Sequence, residues 1–434
     1  MNFHDSEKIS GVLARSGFSE VSGGERDEAD IIIFNTCSIR EKAEQKFLSE
    51  LGRLRTLKRK KPGLKIAVAG CSAQQMGRGL LGKAPFVDFI VGPQNLQSLA
   101  LLSGPAAEDK KVCLDENPEL ASVELPAARG KKPGAWVSIM YGCDNFCTYC
   151  IVPFTRGREV CRPSKSIQQE IRRLADEGYG EVTLLGQNVN SYKSDADFPS
   201  LLEMVNRIKG ISRIRFVTSH PRDFSPALIG AFGRLEKLCE SIHLPLQSGS
   251  DGVLKRMNRR YTVSDYMGKI EALRRRLPGI SITTDIIAGF PGETEKDHEA
   301  TMAALRHIEY DGIFAFKYSP RPGTAAARFP DRLPDDVSAR RLEEILALQD
   351  EITLRKNRAL VGTVQEVMVE GPDEKGGSRL TGRTRTNKIV SFEADPSKIK
   401  DKNADYPAGA VLSLKIVRAR RHSLEGEFPD GSSG

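Results

Sequence analysis

The sequence predicts an α/β chain of three parts: an N-terminal doubly wound α/β domain, a central (β/α)6 partial TIM barrel, and a small C-terminal antiparallel β-barrel. Three observations predict it. Near-continuous Ile, Val and Phe runs separated by a charged helical segment fill the first 92 residues, as strands buried on both faces of a parallel sheet would. From Trp136 onward strand and helix signals alternate, the pattern of βα units. After Leu360 the helical period disappears and short alternating strands with turn residues take over, as in a small barrel. With 434 residues, the chain has room for about three domains of roughly 150 residues. Its 28% charged and 39% hydrophobic content excludes a disordered chain. No uninterrupted apolar run of about 18 residues occurs, and MNFHDSEKIS is neither basic nor apolar, so no membrane association and a cytoplasmic location are expected. A formal charge of +8 favours a polyanionic partner such as nucleic acid.

In order along the chain, IIIFNTC, LKIAVAGC and FVDFIVG read as three parallel strands. The Glu-, Lys-, Leu- and Arg-rich stretch at 40–61 reads as the helix between the first two. Residues 1–104 form this domain. Cys37 and Cys71 fall at the carboxyl ends of their strands, the rim where open parallel sheets build sites. Residues 105–133 lack periodicity and read as an interdomain linker containing Cys113. WVSIMYG, EVTLLGQN, RIRFVTS, SIHLPLQ, ISITTDIIAGF and GIFAFKYS then supply six strands. Five helices lie between them and one more follows Ser338, so the partial barrel spans 134–357. The final barrel covers 358–426, with a tail at 427–434.

Eight cysteines in a chain of this kind argue for metal or redox chemistry over disulfides. Cys143, Cys147 and Cys150 follow the first barrel strand in a Cys-x3-Cys-x2-Cys spacing, on the active rim of the expected barrel. Structural zinc wants four ligands, usually as paired Cys-x2-Cys knuckles, and there is no second knuckle here. A 4Fe-4S cluster on three thiolates leaves one iron open for a ligand. The spacing resembles the radical S-adenosylmethionine (SAM) superfamily. There the open iron chelates the methionine end of SAM, and one electron cleaves SAM to a 5′-deoxyadenosyl radical. Tyr149, Gln187, Gln247 and Gly289 are the positions where SAM contacts are expected by this resemblance. Ordinary turn and cap roles compete: GFPG is an adequate loop, and Thr294 can cap the next helix.

Further stretches narrow the resemblance: NTCSIREKAEQK (35–46), AGCSAQ (69–74), GCDNFCTYCIVPFTRGRE (142–159), LGQNVNSY (185–192), HLPLQSGSD (243–251) and YSPRPGTAAA (318–327). Together they resemble the methylthiotransferase family of radical SAM enzymes, in its tRNA-modifying branch, over essentially the whole chain. The resemblance implies an N-terminal α/β domain, a radical SAM barrel and a C-terminal RNA-binding TRAM domain. It implies that C2 of N(6)-isopentenyladenosine (dimethylallyladenosine), at tRNA position 37 beside the anticodon, gains a methylthio group with consumption of two SAM molecules. It also implies an auxiliary 4Fe-4S cluster on three N-terminal cysteines, two of them matched by Cys37 and Cys71. The third is expected upstream of Met1, because Met1-Asn2 and Asp5-Ser6-Glu7 match the residues that come after that cysteine in the family. An electron-donor protein and sulfur- or cluster-supply proteins are the further partners, and a monomer is expected. Cys161 and Cys239 read as small, buried and unliganded.

Arg383, Arg385, Lys388, Arg418, Arg420 and Arg421 of the last domain are expected to grip RNA phosphate. Two rivals stand beside this reading. Related methylthiotransferases act on threonylcarbamoyl-adenosine in tRNA or on a ribosomal-protein aspartate, although LGQNVNSY and Phe146 resemble the isopentenyladenosine branch more closely. Alternatively, the cysteine loop holds zinc in a non-enzymatic RNA-binding protein.

Overall fold

A computed structural model describes residues 1–21, 26–36, 41–103, 111–116, 124–130, 133–373, 379–394 and 406–429. The chain divides into two units. The first comprises Met1–Gly130, Met140–Cys161 and Arg321–Thr324, and the second the remainder.

In the first unit, β1 (Ile31–Asn35), β2 (Lys65–Ala69), β3 (Phe89–Val91) and β4 (Lys111–Cys113) form one parallel sheet in that order. Because side chains alternate across a strand, β2 feeds two cores. Ile66 and Val68 pack with Phe47, Leu51 and Leu54 of helix Glu41–Lys60. Ala67 and Ala69 pack with Ile9 and Val12 of helix Asn2–Arg15 and with Leu96 and Leu99 of the 3-10 helix Leu96–Ser103. Helices on both faces make the domain doubly wound, as expected. Within the stretch at 105–133, expected as a linker, the described residues Lys111–Cys113 add the fourth strand to this sheet. Cys113 ends β4, in register with Val91, and the Ala128 amide donates to the Glu7 carbonyl over 2.8 Å. Gly11 is required where that segment crosses, since a Cβ there would lie 2.3 Å from the Pro126 carbonyl oxygen.

β5 (Gly134–Ser138) opens the second unit. The chain returns to the first for β6 (Met140–Tyr141) and β7 (Val160–Cys161), an antiparallel pair that closes a neck around residues 142–159. The second unit continues with β8 (Glu181–Leu185), β9 (Arg213–Phe216), β10 (Ser241–His243), β11 (Ser281–Ala288) and β12 (Gly312–Lys317). The six strands lie as two parallel triplets, β5-β8-β9 and β10-β11-β12, bridged in parallel between Ile214 and Leu238. The expected helices are present at Ser164–Asp176, Phe198–Asn206, Pro226–Ala231, Val263–Arg276 and Glu295–Ile308, with Asp335–Arg358 after the last strand. Thr262 and Thr294 each form a full capping box.

The last five strands, β13 (Val364–Pro372), β14 (Arg379–Thr384), β15 (Ile389–Glu393), β16 (Val411–Ala419) and β17 (Leu424–Glu427), close a barrel in the order β13-β14-β15-β17-β16. Val367, Val369, Val390, Phe392, Leu414, Ile416 and Leu424 fill it. Four of its five pairings are antiparallel, as expected of a small antiparallel barrel, and β15 and β17 pair in parallel. No described helix is long and apolar enough to cross a membrane.

Candidate active site

Three cysteines sit on the loop held in the β6–β7 neck. Gly142 turns into it at φ +73°, where a Cβ would meet the Arg158 carbonyl at 1.9 Å. The Cys143 amide donates to the Gly157 carbonyl over 3.3 Å and the Cys150 amide to the Cys147 carbonyl over 2.9 Å. Between them Phe146 sits in the left-handed region at φ 48°, which costs a non-glycine residue about 1 kcal/mol or more. Cys143 and Cys147 are buried, while Cys150 and Tyr149 are half-buried. Asn145 Nδ2 lies 3.5 Å from Cys143 Sγ as a donor. Burial pushes the Cys143 thiol up from its ordinary value, so a thiolate here needs a countercharge, which a metal centre supplies. Among the described residues no three His, Cys, Asp or Glu side chains already stand as a metal group. In donor chemistry the loop fits an iron–sulfur cluster with one position open.

A second sulfur lies elsewhere in the same unit. Cys71 follows β2 at the start of helix Cys71–Met76, after Gly70 at φ +90°, where a Cβ would fall 2.5 Å from Asn35 Oδ1. The Arg156 Nε donates to Cys71 Sγ over 3.3 Å, and its Nη2 donates to the Asp5 carboxylate. All three side chains are buried. Burial alone would lower the Arg156 pKa, but the charge of Asp5 and the Cys71 sulfur outweigh it and raise it above the ordinary range. Sequence reasoning missed both partners, although FTRGRE and the Asp5-Ser6-Glu7 stretch were in view. Cys37 lies outside the described residues. Cys113 is half-buried at the carboxyl end of β4, its carbonyl accepting from the Gly92 amide over 2.8 Å. Cys239 is buried, with its thiol pushed up to about 11 by burial. Cys161, expected to be buried, is only partly buried on β7.

In the second unit, the carboxyl ends of the strands carry Gln187 after β8, Gln247 after β10 and Gly289 after β11. Gln187 Oε1, Asn188 Oδ1, Ser219 Oγ and His220 Nε2 are buried without a partner among the described residues. Buried polar atoms normally have one, so this rim is suited to a polar ligand such as SAM. Gln247 is held at φ 72°, with its amide donating to the Asp285 carbonyl over 2.8 Å. Burial, then the charges of Arg259 and Arg222, lower the His220 pKa to about 2, keeping the ring neutral. Gly289 has a packing reason for being glycine: φ is +72° and a Cβ would meet Ser338 Oγ at 2.2 Å. Glu293 Oε1 accepts from the Gly289 amide and from Arg341, and Thr294 is an N-cap.

The six cationic residues expected to hold RNA divide into two groups. The Arg385 guanidinium is spent on Glu240 and on the Glu236 and Leu238 carbonyls. Lys388 Nζ is 2.9 Å from Asn357 Oδ1 and 3.1 Å from Asp311 Oδ1. Both fasten the small barrel to the larger one, a role their charge alone did not reveal. Arg213 and Arg215 complete the joint by donating to the carbonyls of Arg383, Thr384 and Arg385. Arg383 pairs with Glu370 at 2.9 Å. Arg418, Arg420 and Arg421 keep well-exposed side chains beside Glu425 and Asp350.

Against known sequences, residues 137–305 match the Radical SAM superfamily, residues 358–428 the TRAM domain, and residues 1–92 the Uncharacterized protein family UPF0004. A tRNA-2-methylthio-N(6)-dimethylallyladenosine synthase from Thermodesulfovibrio yellowstonii is 54% identical over 429 residues, 99% of this chain and 96% of that protein. The chain belongs to this synthase family. Family members from Clostridium botulinum (strain Okra / Type B1) and Moorella thermoacetica are 46% and 45% identical over 98% and 99% of the chain, and 94% and 96% of their own lengths. Among solved structures, the radical SAM methyltransferase TsrM from Kitasatospora setae matches with TM-score 0.53 at 16% identity, covering 74% of this chain and 73% of its own. The cobalamin-dependent radical SAM enzyme OxsB matches with TM-score 0.52 at 12% identity, covering 79% and 54%. These two likenesses bear on the fold, which agrees with the family's radical SAM layout.

Proposed function

We propose that this chain is a radical SAM tRNA methylthiotransferase that converts N(6)-dimethylallyladenosine beside the anticodon to its 2-methylthio derivative. The observation that carries the reading is the presence, in one unit, of a three-thiol loop and a separate buried sulfur, Cys71, with its own cation. Methylthiolation needs both a means of activating an inert C–H bond and a source of sulfur. Cys143, Cys147 and Cys150 would hold a 4Fe-4S cluster, and Cys71 with Cys37 would contribute to an auxiliary one. Bound with SAM, such clusters supply one-electron chemistry that no side-chain base offers at an unactivated C2–H. The chain's own part is to hold and shield these groups. Asn145 donates toward Cys143, Arg156 orients Cys71, and the rim atoms of Gln187, Asn188 and Ser219, unpartnered among the described residues, suit a polar ligand in the second unit. Exposed Arg418, Arg420 and Arg421 suit the RNA backbone. An electron-donor protein and a route for sulfur resupply complete the system.

Mass spectrometry of nucleosides from tRNA of a deletion strain, with and without the gene restored, tests the assignment. The methylthio nucleoside should vanish and return, while its dimethylallyl precursor accumulates. Unchanged tRNA defeats the substrate assignment.

A further inference from the structure

The sheet β10-β11-β12 has two unlike faces. Ile282, Thr284, Ile286 and Ala288 are at most 1% exposed and lie on the helix side, where Thr284 Oγ1 and the Tyr266 hydroxyl of helix Val263–Arg276 both donate to the Leu244 carbonyl. Thr283, Asp285 and Ile287 alternate onto the other face and are partly open. Register places His243 beside Thr283, Phe314 beside Asp285, and Phe316 beside Ile287, so these side chains share that helix-free face. Phe314 is 52% and Phe316 39% exposed. His243 lies 3.0 Å from Thr283 Oγ1 and 3.4 Å from Asp285 Oδ1, and its ring meets Phe314 edge-on at 5.7 Å.

Two partly exposed phenylalanines beside an acid and an imidazole make an amphipathic seat toward the carboxyl ends of these strands, the end at which such folds bind ligands. We propose that Phe314 and Phe316 seat the N6 dimethylallyl chain of the target adenosine, and so select alkylated adenosine. The inference rests on the function proposed above. The chemistry of the two sides matches: the chain is wholly apolar, and it hangs from an N–H that Asp285, the register neighbour of Phe314, can accept. An N6 substituent ending in a carboxylate would instead meet the Asp285 carboxylate and two phenylalanine rings.

The test uses the reconstituted full chain and two anticodon stem-loop RNAs, one carrying dimethylallyladenosine and one plain adenosine. Binding constants and kcat and KM are measured for the wild type, Phe314→Ala, Phe316→Ala and the conservative Phe314→Leu and Phe316→Leu. The wild type should prefer the alkylated RNA. Each alanine variant should lose about tenfold or more of that preference, the scale of an apolar pocket contact, through KM and with plain-RNA affinity unmoved. The leucine variants should keep most of it. Full preference in both alanine variants of an active enzyme overturns this inference alone. A wild type that methylthiolates neither RNA overturns the proposed function, and this inference with it.

Discussion

The two sulfur sites of the first unit are built in opposite ways. Cys143, Cys147 and Cys150 share one loop, shaped by its own backbone bonds and by Gly142 at the neck. Cys71 stands at a strand end, and its partners Arg156 and Asp5 come from 85 residues away and from a helix that is itself 151 residues from Arg156. A local loop carries its donor set within a few turns of chain. A site built from distant residues depends on the whole domain being folded.

That contrast can be broken or sharpened experimentally. The largest effect is expected in the loop: Cys143→Ala, Cys147→Ala or Cys150→Ala should drop reductive SAM cleavage to background, measured as 5′-deoxyadenosine released. Residual cleavage in all three would remove the loop from the chemistry. Cys71→Ala should leave SAM cleavage in place but end formation of the methylthio nucleoside; a variant that still makes it would show that Cys71 holds no part of the sulfur source. Asp5→Ala strips a buried cation of its carboxylate and should cost about 3–5 kcal/mol, read as a lower denaturant midpoint.

A graded effect is expected from the second unit. His220, at about 2 folded against roughly 6.5 unfolded, gives stability that is present above about pH 6.5. That stability is lost as pH falls toward 2, because the unfolded state takes up the proton first. The slope is at most about 1.4 kcal/mol per pH unit, and His220→Gln should flatten it; an unchanged slope would mean that other groups set the acid limit. Smallest is Asp144→Ala at the exposed Asp144–Arg158 pair of the cysteine loop, which should cost under about 1 kcal/mol. A loss matching that of Asp5→Ala would erase the distinction between the two sites.

The same contrast explains what could be read before the structure. The three-cysteine spacing, the βα alternation and the Thr294 cap are local, so they were legible as strings of residues. Arg156 was not, because nothing in FTRGRE names a partner 85 residues away. β4 escaped because three residues, Lys111–Cys113, show no period amid Pro, Ala and Glu. Alternation in the last domain revealed strands but not direction, so the parallel pairing of β15 and β17 could not be seen. Arg385 and Lys388 looked like phosphate ligands because a cation advertises its charge and not its partner; Glu240 and Asp311 had already claimed them.

The joint between the two barrels of the second unit is made largely by Arg213 and Arg215 donating to main-chain carbonyls at Arg383, Thr384 and Arg385. Every amino acid presents the same carbonyl. Arg383, near the end of β14, can therefore change its side chain without losing that anchor, whereas Thr384 is buried with its hydroxyl accepting from the Lys388 amide and Arg385 is tied to the joint by its own guanidinium. Such a hinge-free coupling is robust to drift: the surface offered to a ligand can diversify while the alignment of the two barrels is inherited unchanged.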